Sequence, residues 1–201
     1  MGVQERRARQ KEGIREEILE AARTLFVKEG YESTSIRKIA EKIEYAPGTI
    51  YLYFRDKTEI LERICEETFS RLAQKLAAIN RDQASPLDCL RRGLRVYVQF
   101  GMENPNHYLV TFVQGPRQFA DKAVYCDSGA RCFGELRQAV ERCLQAGLLK
   151  PTDGDEIAQA LWAGVHGITS VQITHAGFPW VEQNRLIDRV VDILIEGIRK
   201  K

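Results

Sequence analysis

Residues 34–54 read TSIRKIAEKIEYAPGTIYLYF. Thr34 and Ser35 offer hydroxyls that can cap a helix N-terminus. Ile36, Ile39, Ala40 and Ile43 then recur at helical spacing, which predicts a helix over about 35–43. Pro47 suits a first helical position, where its missing N–H costs nothing, and predicts a second short helix over about 47–53 with Ile50 inward. Two short helices, a tight turn and a buried alanine in the first describe a helix-turn-helix. A second helix that short is unstable alone, so it needs neighbouring helices beneath it. It leaves Pro47, Gly48, Thr49, Tyr51 and Tyr53 outward. Gly48 admits close approach of another molecule, and the Thr49 and tyrosine hydroxyls can donate to phosphate oxygens or base edges.

Outward from this stretch the chain reads as helices. Upstream, Ile14, Ile18, Leu19, Ala22, Leu25 and Phe26 mark one face of a helix over 14–29, closed by Gly30. Downstream, Asp56 and Glu59 form a capping-box pattern for a helix to about Asn80. Ser85-Pro86 opens another helix, to about Met102, and Asn104-Pro105 repeats the device. Gly115-Pro116 breaks the chain again. Helices follow over 128–146, from Asp153 to about His175, and over 181–199. No apolar run alternates as a strand does. The fold class is all-α, about nine helices, with a helix-turn-helix DNA-binding domain over 1–58 and a second all-helical domain over 59–201.

The chain has 201 residues, 44% hydrophobic and 29% charged, enough to bury a core without disulfides. No run is long and apolar enough to span a membrane, and residues 1–12 are too charged for a signal peptide, so a cytoplasmic location is expected and no membrane partner. The net charge of +2 excludes a uniformly basic coat but allows a local patch. Residues 1–58 hold that whole excess, with 12 Lys and Arg against 10 Asp and Glu. Arg6, Arg7, Arg9 and Lys11 precede the first helix, an arm that could follow phosphates or enter a minor groove.

Enzymatic constellations are missing: there is no P-loop, Gly-x-Gly-x-x-Gly or Gly-x-Ser-x-Gly. Ser35 and Lys38 match Ser-x-x-Lys, but inside the helix-turn-helix. His107, His166 and His175 and the five cysteines show no metal-ligand spacing, so neither enzyme activity nor a cofactor is expected. Cys126 and Cys132 fall near one loop, with Cys143 on a later helix. A redox sensor would suit that arrangement, and buried thiols are the competing reading.

Residues 14–64 resemble the TetR family of bacterial transcription regulators. The resemblance rests on Leu25-Phe26, Gly30-Tyr31, Thr34, Ile39-Ala40, Gly48-Thr49-Ile50-Tyr51, Phe54, Lys57 and Ile60-Leu61. It implies a homodimer on a palindromic operator, a repressor released when a small molecule binds the C-terminal domain. It also implies phosphate contacts at Thr34, Tyr51, Tyr53 and Lys57, and groove-facing positions at Arg37, Ala46, Pro47, Gly48 and Thr49. The chain departs from the family pattern at three places. Glu44 replaces the usual turn glycine, at a cost on the order of 1 kcal/mol if the turn is left-handed. Tyr45 replaces a smaller apolar residue, and Ala46 a capping hydroxyl.

Trp162, His166 and Gly167 resemble one subgroup of the family's C-terminal domains. Ala160, Ala163, Gly164 and Gly167 make a small-residue face that permits close helix approach, and the last helix is apolar on more than one side. Paired helices from two copies would form a two-fold interface. Phe100, His107, Tyr108, Phe112, Trp162 and His166, with Phe119, Tyr125 and Phe133, are candidate liners of an effector pocket for a hydrophobic or aromatic molecule. The competing function is a helical protein-interaction module without specific DNA binding. Salt separates the two, because phosphate contacts weaken steeply with ionic strength.

Overall fold

The computed structural model describes residues 2–113 and 127–200. Nine α-helices lie among them: α1 Val3–Glu29, α2 Ile36–Lys42, α3 Pro47–Tyr51, α4 Lys57–Asn80, α5 Pro86–Glu103, α6 Pro105–Tyr108, α7 Asp127–Gln145, α8 Gly154–Thr174 and α9 Gln183–Ile198. A single π-type turn, Leu109–Val113, follows α6. The described residues include no strand; the one extended pairing joins Leu149 to Arg199. The readings at Gly115-Pro116, Phe119, Tyr125 and Cys126 lie outside the described residues. No described helix is long and apolar enough to cross a membrane.

The chain divides into two compact units. One takes residues up to 68 and those from 106 to 113, the other 69–105 and 127–200. The division falls inside α4, between Thr68 and Phe69.

In the first unit Ile18, Leu19, Ala22 and Phe26 of α1 are buried with Ile39 and Ala40 of α2, Ile50 of α3, Phe54, and Ile60, Leu61 and Ile64 of α4. Each fully buried side chain of this size contributes about 1.5–3 kcal/mol. A single inward residue therefore ties the five-residue α3 to the unit. Arg23, only 6% exposed, bonds Glu20 at 2.8 Å and reaches Glu67 of α4 at 3.7 Å. Glu67 also pairs with Arg63.

In the second unit α5 packs against α7, α8 and α9. Leu90, Leu94, Val98, Val140, Leu161, Val165, Ile187, Val191 and Ile195 form its core. Arg91 pairs with Asp192 and Arg95 with Asp188, a two-rung ladder between α5 and α9. Gly164 is where α8 meets α9 closely, because a Cβ there would lie 2.7 Å from a Leu194 methyl. Gly167, expected to share that role, has open space at the same position, and Ala160 and Ala163 are exposed. The small-residue face thus serves close packing at one position and faces outward at the others.

Two expectations about the first unit are corrected. Arg6 to Lys11 do not precede the first helix but lie in it: α1 begins at Val3 and continues by helix propagation through the exposed residues 4–13. α3 ends at Tyr51, not near 53, and Leu52 lies outside with 76% of its surface exposed.

Candidate nucleic-acid interface

α2 closes through a Schellman arrangement. Glu44 donates its N–H to the Glu41 carbonyl at 3.2 Å and Tyr45 donates to that of Ala40 at 2.9 Å. This closure needs a left-handed residue, and Glu44 takes it at φ +59°, the one non-glycine positive φ among the described residues. The glycine substitution read from the sequence is therefore borne as strain and not avoided by a different turn. The reversal sets Ala46 in extended backbone as the N-cap of α3, with no side-chain cap.

At the front of α2, Ser35 accepts the Lys38 N–H at 3.3 Å. Thr34 lies inside the unit. It is 2% exposed, and its hydroxyl donates to the Gly30 carbonyl at 2.8 Å, across the α1–α2 link. Its single proton is thereby engaged within the chain.

Lys57 is likewise engaged within the chain. Its ammonium donates to the carbonyls of Tyr31 at 2.6 Å, Thr34 at 2.8 Å and Glu32 at 3.5 Å. It also stands 4.1 Å from the Tyr31 ring centre. Three protons meet three carbonyls, so the first residue of α4 holds the segment that precedes α2.

The other expected contacts lie outward. Arg37, Ala46, Pro47, Gly48 and Tyr51 are exposed, Tyr51 by 58%, and Thr49 and Tyr53 are half-buried. A Cβ on Gly48 would meet nothing within 4 Å, and its φ is not positive. Nothing in this chain therefore requires glycine there. Among the cations of α2, Lys38 pairs with Glu29 at 2.6 Å, while no ion pair among the described residues engages Arg37 or Lys42. The Arg55 guanidinium and its backbone N–H both bond Glu59, holding that carboxyl below its usual range.

In the second unit Tyr97 joins the candidate effector residues. The Trp162 indole N–H, which can only donate, lies 3.3 Å from the Tyr97 hydroxyl oxygen. That hydroxyl lies 3.2 Å from Nδ1 of His166, and either atom can be the donor. Burial holds the pKa of His166 below the ordinary histidine value. Phe133 meets the Trp162 ring edge-on at 6.0 Å, and Phe100 is buried in the same unit. The remaining candidates belong to the first unit. His107 lies 3.0 Å from the Thr68 hydroxyl, and Tyr108 packs on Phe112 at 4.9 Å. The sequence reading missed Tyr97, whose partners lie 65 and 69 residues away. Cys65, Cys89, Cys132 and Cys143 are buried, and burial pushes the Cys143 thiol up to about 11. No group of acidic, histidine or cysteine side chains among the described residues could hold a metal ion.

An all-α protein with a helix-turn-helix built this way falls in a recognised class. The chain matches the bacterial regulatory proteins of the tetR family over residues 18–64 and the tetracyclin repressor-like C-terminal domain over 90–196. It is 32% identical to the HTH-type transcriptional regulator TtgR of Pseudomonas putida over 164 residues, 77% of each chain. It is 33% identical over 114 residues to YfiR of Bacillus subtilis, an HTH-type transcriptional regulator, covering 53% of this chain and 56% of that one. With several of its curated relatives the match spans about half of their length or less. The solved structure of the transcriptional regulator FadR from Bacillus subtilis in complex with stearoyl-CoA superposes with a TM-score of 0.79 at 19% identity. That superposition covers 90% of this chain and 98% of that one. The chain belongs to the TetR family, and these relatives are regulators of transcription, not enzymes.

Proposed function

We propose that the protein is a ligand-responsive repressor that binds a palindromic operator as a homodimer in the cytoplasm. The observation that carries this reading is the outer face of α3. Gly48 presents bare backbone that no packing inside the chain requires, flanked by outward Pro47, Thr49 and Tyr51 and by Arg37 and Lys42 of α2, cations outside any described ion pair. Such a surface suits a major groove, with Arg37, Ala46, Pro47, Gly48 and Thr49 toward base edges and the Tyr51 and Tyr53 hydroxyls on phosphates. Thr34 and Lys57 support this face from behind and do not touch DNA.

Dimerisation uses the outer faces of α8 and α9, where Val171 is 41% and Ile193 63% exposed. Two copies related by a two-fold axis present two α3 helices to successive major grooves. The effector is a hydrophobic or aromatic molecule held by the second unit, with the Trp162–Tyr97–His166 chain as its polar handle. FadR, which shares the fold, is solved with stearoyl-CoA, an apolar acyl chain on a charged carrier, and the acyl part fits this ligand class. The effector acts by binding better to one separation of the two reading heads and shifting the population toward it.

Selection of random duplexes with the purified protein at two salt concentrations tests the reading. An enriched palindrome whose binding weakens with salt supports it. A folded dimer that enriches nothing, with and without acyl and aromatic ligands, overturns it in favour of a protein-interaction module.

A further inference from the structure

The opening three turns of α1 are helix without a packing purpose. Residues 4–13 are all exposed, and none of them joins the core of the first unit. At 1.5 Å per residue the segment before Ile14 extends roughly 16 Å past the packed part. Two of its four cations share one face, while Arg9 lies on the face of Glu5 and Glu12. Arg7 and Lys11 fall on the stripe that continues as Ile14, Ile18, Ala22 and Leu25, so they lie on the side of α1 that further along faces the rest of the unit. Glu5 and Glu12, seven residues apart, share a different face, and Glu5 accepts the Gly2 amide at 3.0 Å. No ion pair among the described residues engages Arg6, Arg7, Arg9 or Lys11. The next cation, Arg15, lies over the Phe54 ring at 4.8 Å, three residues past the end of α3. The basic stripe therefore starts beside the exit of α3 and runs on beyond it.

We infer that this helical extension is a second DNA-binding element. It lies along the phosphate backbone of the duplex flanking each half-site, with Arg7 and Lys11 as its principal contacts. The inference rests on the DNA-binding reading above. The helical state decides the mode: with side chains a helix is about 10–12 Å across, whereas the minor groove is about 6 Å wide. The extension therefore cannot enter a minor groove as an unfolded arm could. A membrane surface is a poor alternative occupant, since an interfacial helix needs an apolar face and Val3 and Ala8 are the only apolar side chains between Gly2 and Ile14. Contacts of this kind carry no sequence information and add to affinity through counterion release.

The test uses full-length protein on a selected operator, with flanks of natural-length duplex and with flanks trimmed to the palindrome. The variants are Arg7→Gln with Lys11→Gln, and Glu5→Gln with Glu12→Gln. Each phosphate contact contributes about 0.9 to the salt slope. The cationic double variant should lower the slope of the dimer complex by roughly 3 to 4 on flanked DNA. It should match the wild type on trimmed DNA and keep the same preference among operator sequences. The acidic double variant should leave the slope unchanged or raise it. Helicity by circular dichroism confirms that each variant stays folded. An unchanged slope and affinity for the cationic variant on flanked DNA overturns the inference and leaves the DNA-binding reading intact. Failure of the wild type to bind any selected duplex overturns both.

Discussion

The Lys57 ammonium sits 2.6 Å from the Tyr31 carbonyl oxygen and 4.1 Å from the centre of the same residue's ring. One cation thus stops the chain between α1 and α2 and ties it to the first turn of α4. A lysine at this position could serve DNA directly or serve the frame that carries α3, and the two roles make different demands. Hydrogen bonds from a charged donor contribute about 1.5–3 kcal/mol each when formed, less where water competes. Lys57→Met keeps the stem and removes the donor. It should lower stability by about 2 kcal/mol in urea unfolding and leave the salt slope of operator binding unchanged under conditions where the variant is folded. A lowered slope with full stability would return Lys57 to the phosphates.

Glu44 provides a second test, this time of the turn. It holds φ +59° within the closure of α2. A non-glycine residue there costs on the order of 1–2 kcal/mol, and the added chain freedom of glycine in the unfolded state offsets about 0.4–1. Glu44→Gly should therefore stabilise the protein by up to about 1.6 kcal/mol. Glu44→Val should destabilise it, because a β-branched side chain fits the left-handed region worst. Denaturant midpoints for the pair decide the matter.

Gly48 separates folding from binding. Nothing in the chain lies within 4 Å of the position a Cβ would take, so alanine fits the free protein without strain. Alanine also favours helix over glycine by up to about 1 kcal/mol. Gly48→Ala should hold or raise the melting temperature while weakening operator binding about tenfold or more, the equivalent of about 1.4 kcal/mol. Anisotropy titrations beside thermal melts would show both effects. Full operator affinity would mean that the α3 backbone does not approach DNA closely.

His166 gives the second unit a pH signature. Burial lowers its pKa below the ordinary value, so the unfolded chain takes up a proton before the folded one does. Its contribution to stability is complete above about pH 6.5. It is lost as pH falls from there toward the folded-state value, by about 1.4 kcal/mol per unit at most. Glu67 works in the opposite sense, since burial raises its pKa and acid relieves it. The difference between wild type and His166→Gln removes that background. The gap between their urea midpoints should shift against the wild type on acidification from neutral to about one unit below the ordinary histidine value; a constant gap would mean that His166 is not held neutral by burial.

Much of the architecture was legible because its signals are local. Pro47 and Pro86 open helices where expected, and Gly30 and Gly147 take positive φ at helix ends. Glu44 could be flagged because a turn of that kind asks for glycine. What escaped the reading depends on distance in the chain or on continuity. The Lys57 partners are backbone carbonyls 23 to 26 residues earlier, which no side-chain motif records. Tyr97 reads as one more residue of an apolar stripe until α8 brings Trp162 and His166 beside it. The start of α1 has no apolar period to announce it, so its helix is inherited from the packed turns that follow. The border between the two compact units falls inside α4, where there is no linker composition to mark it.

The central claim is that two α3 helices, fixed at one separation by a two-fold dimer, read successive major grooves. The most direct measurement is the affinity of the protein for its selected palindrome after insertion of about half a helical turn, roughly 5 base pairs, between the half-sites, against an otherwise identical duplex of the original spacing. Rotating one half-site to the opposite face of the duplex should cost all of its base contacts. At about 1–3 kcal/mol per lost base pair, affinity should fall by roughly 100-fold or more. Unchanged affinity would contradict the account, since it would mean that the two reading heads are not held by the dimer or that α3 is not what reads the DNA.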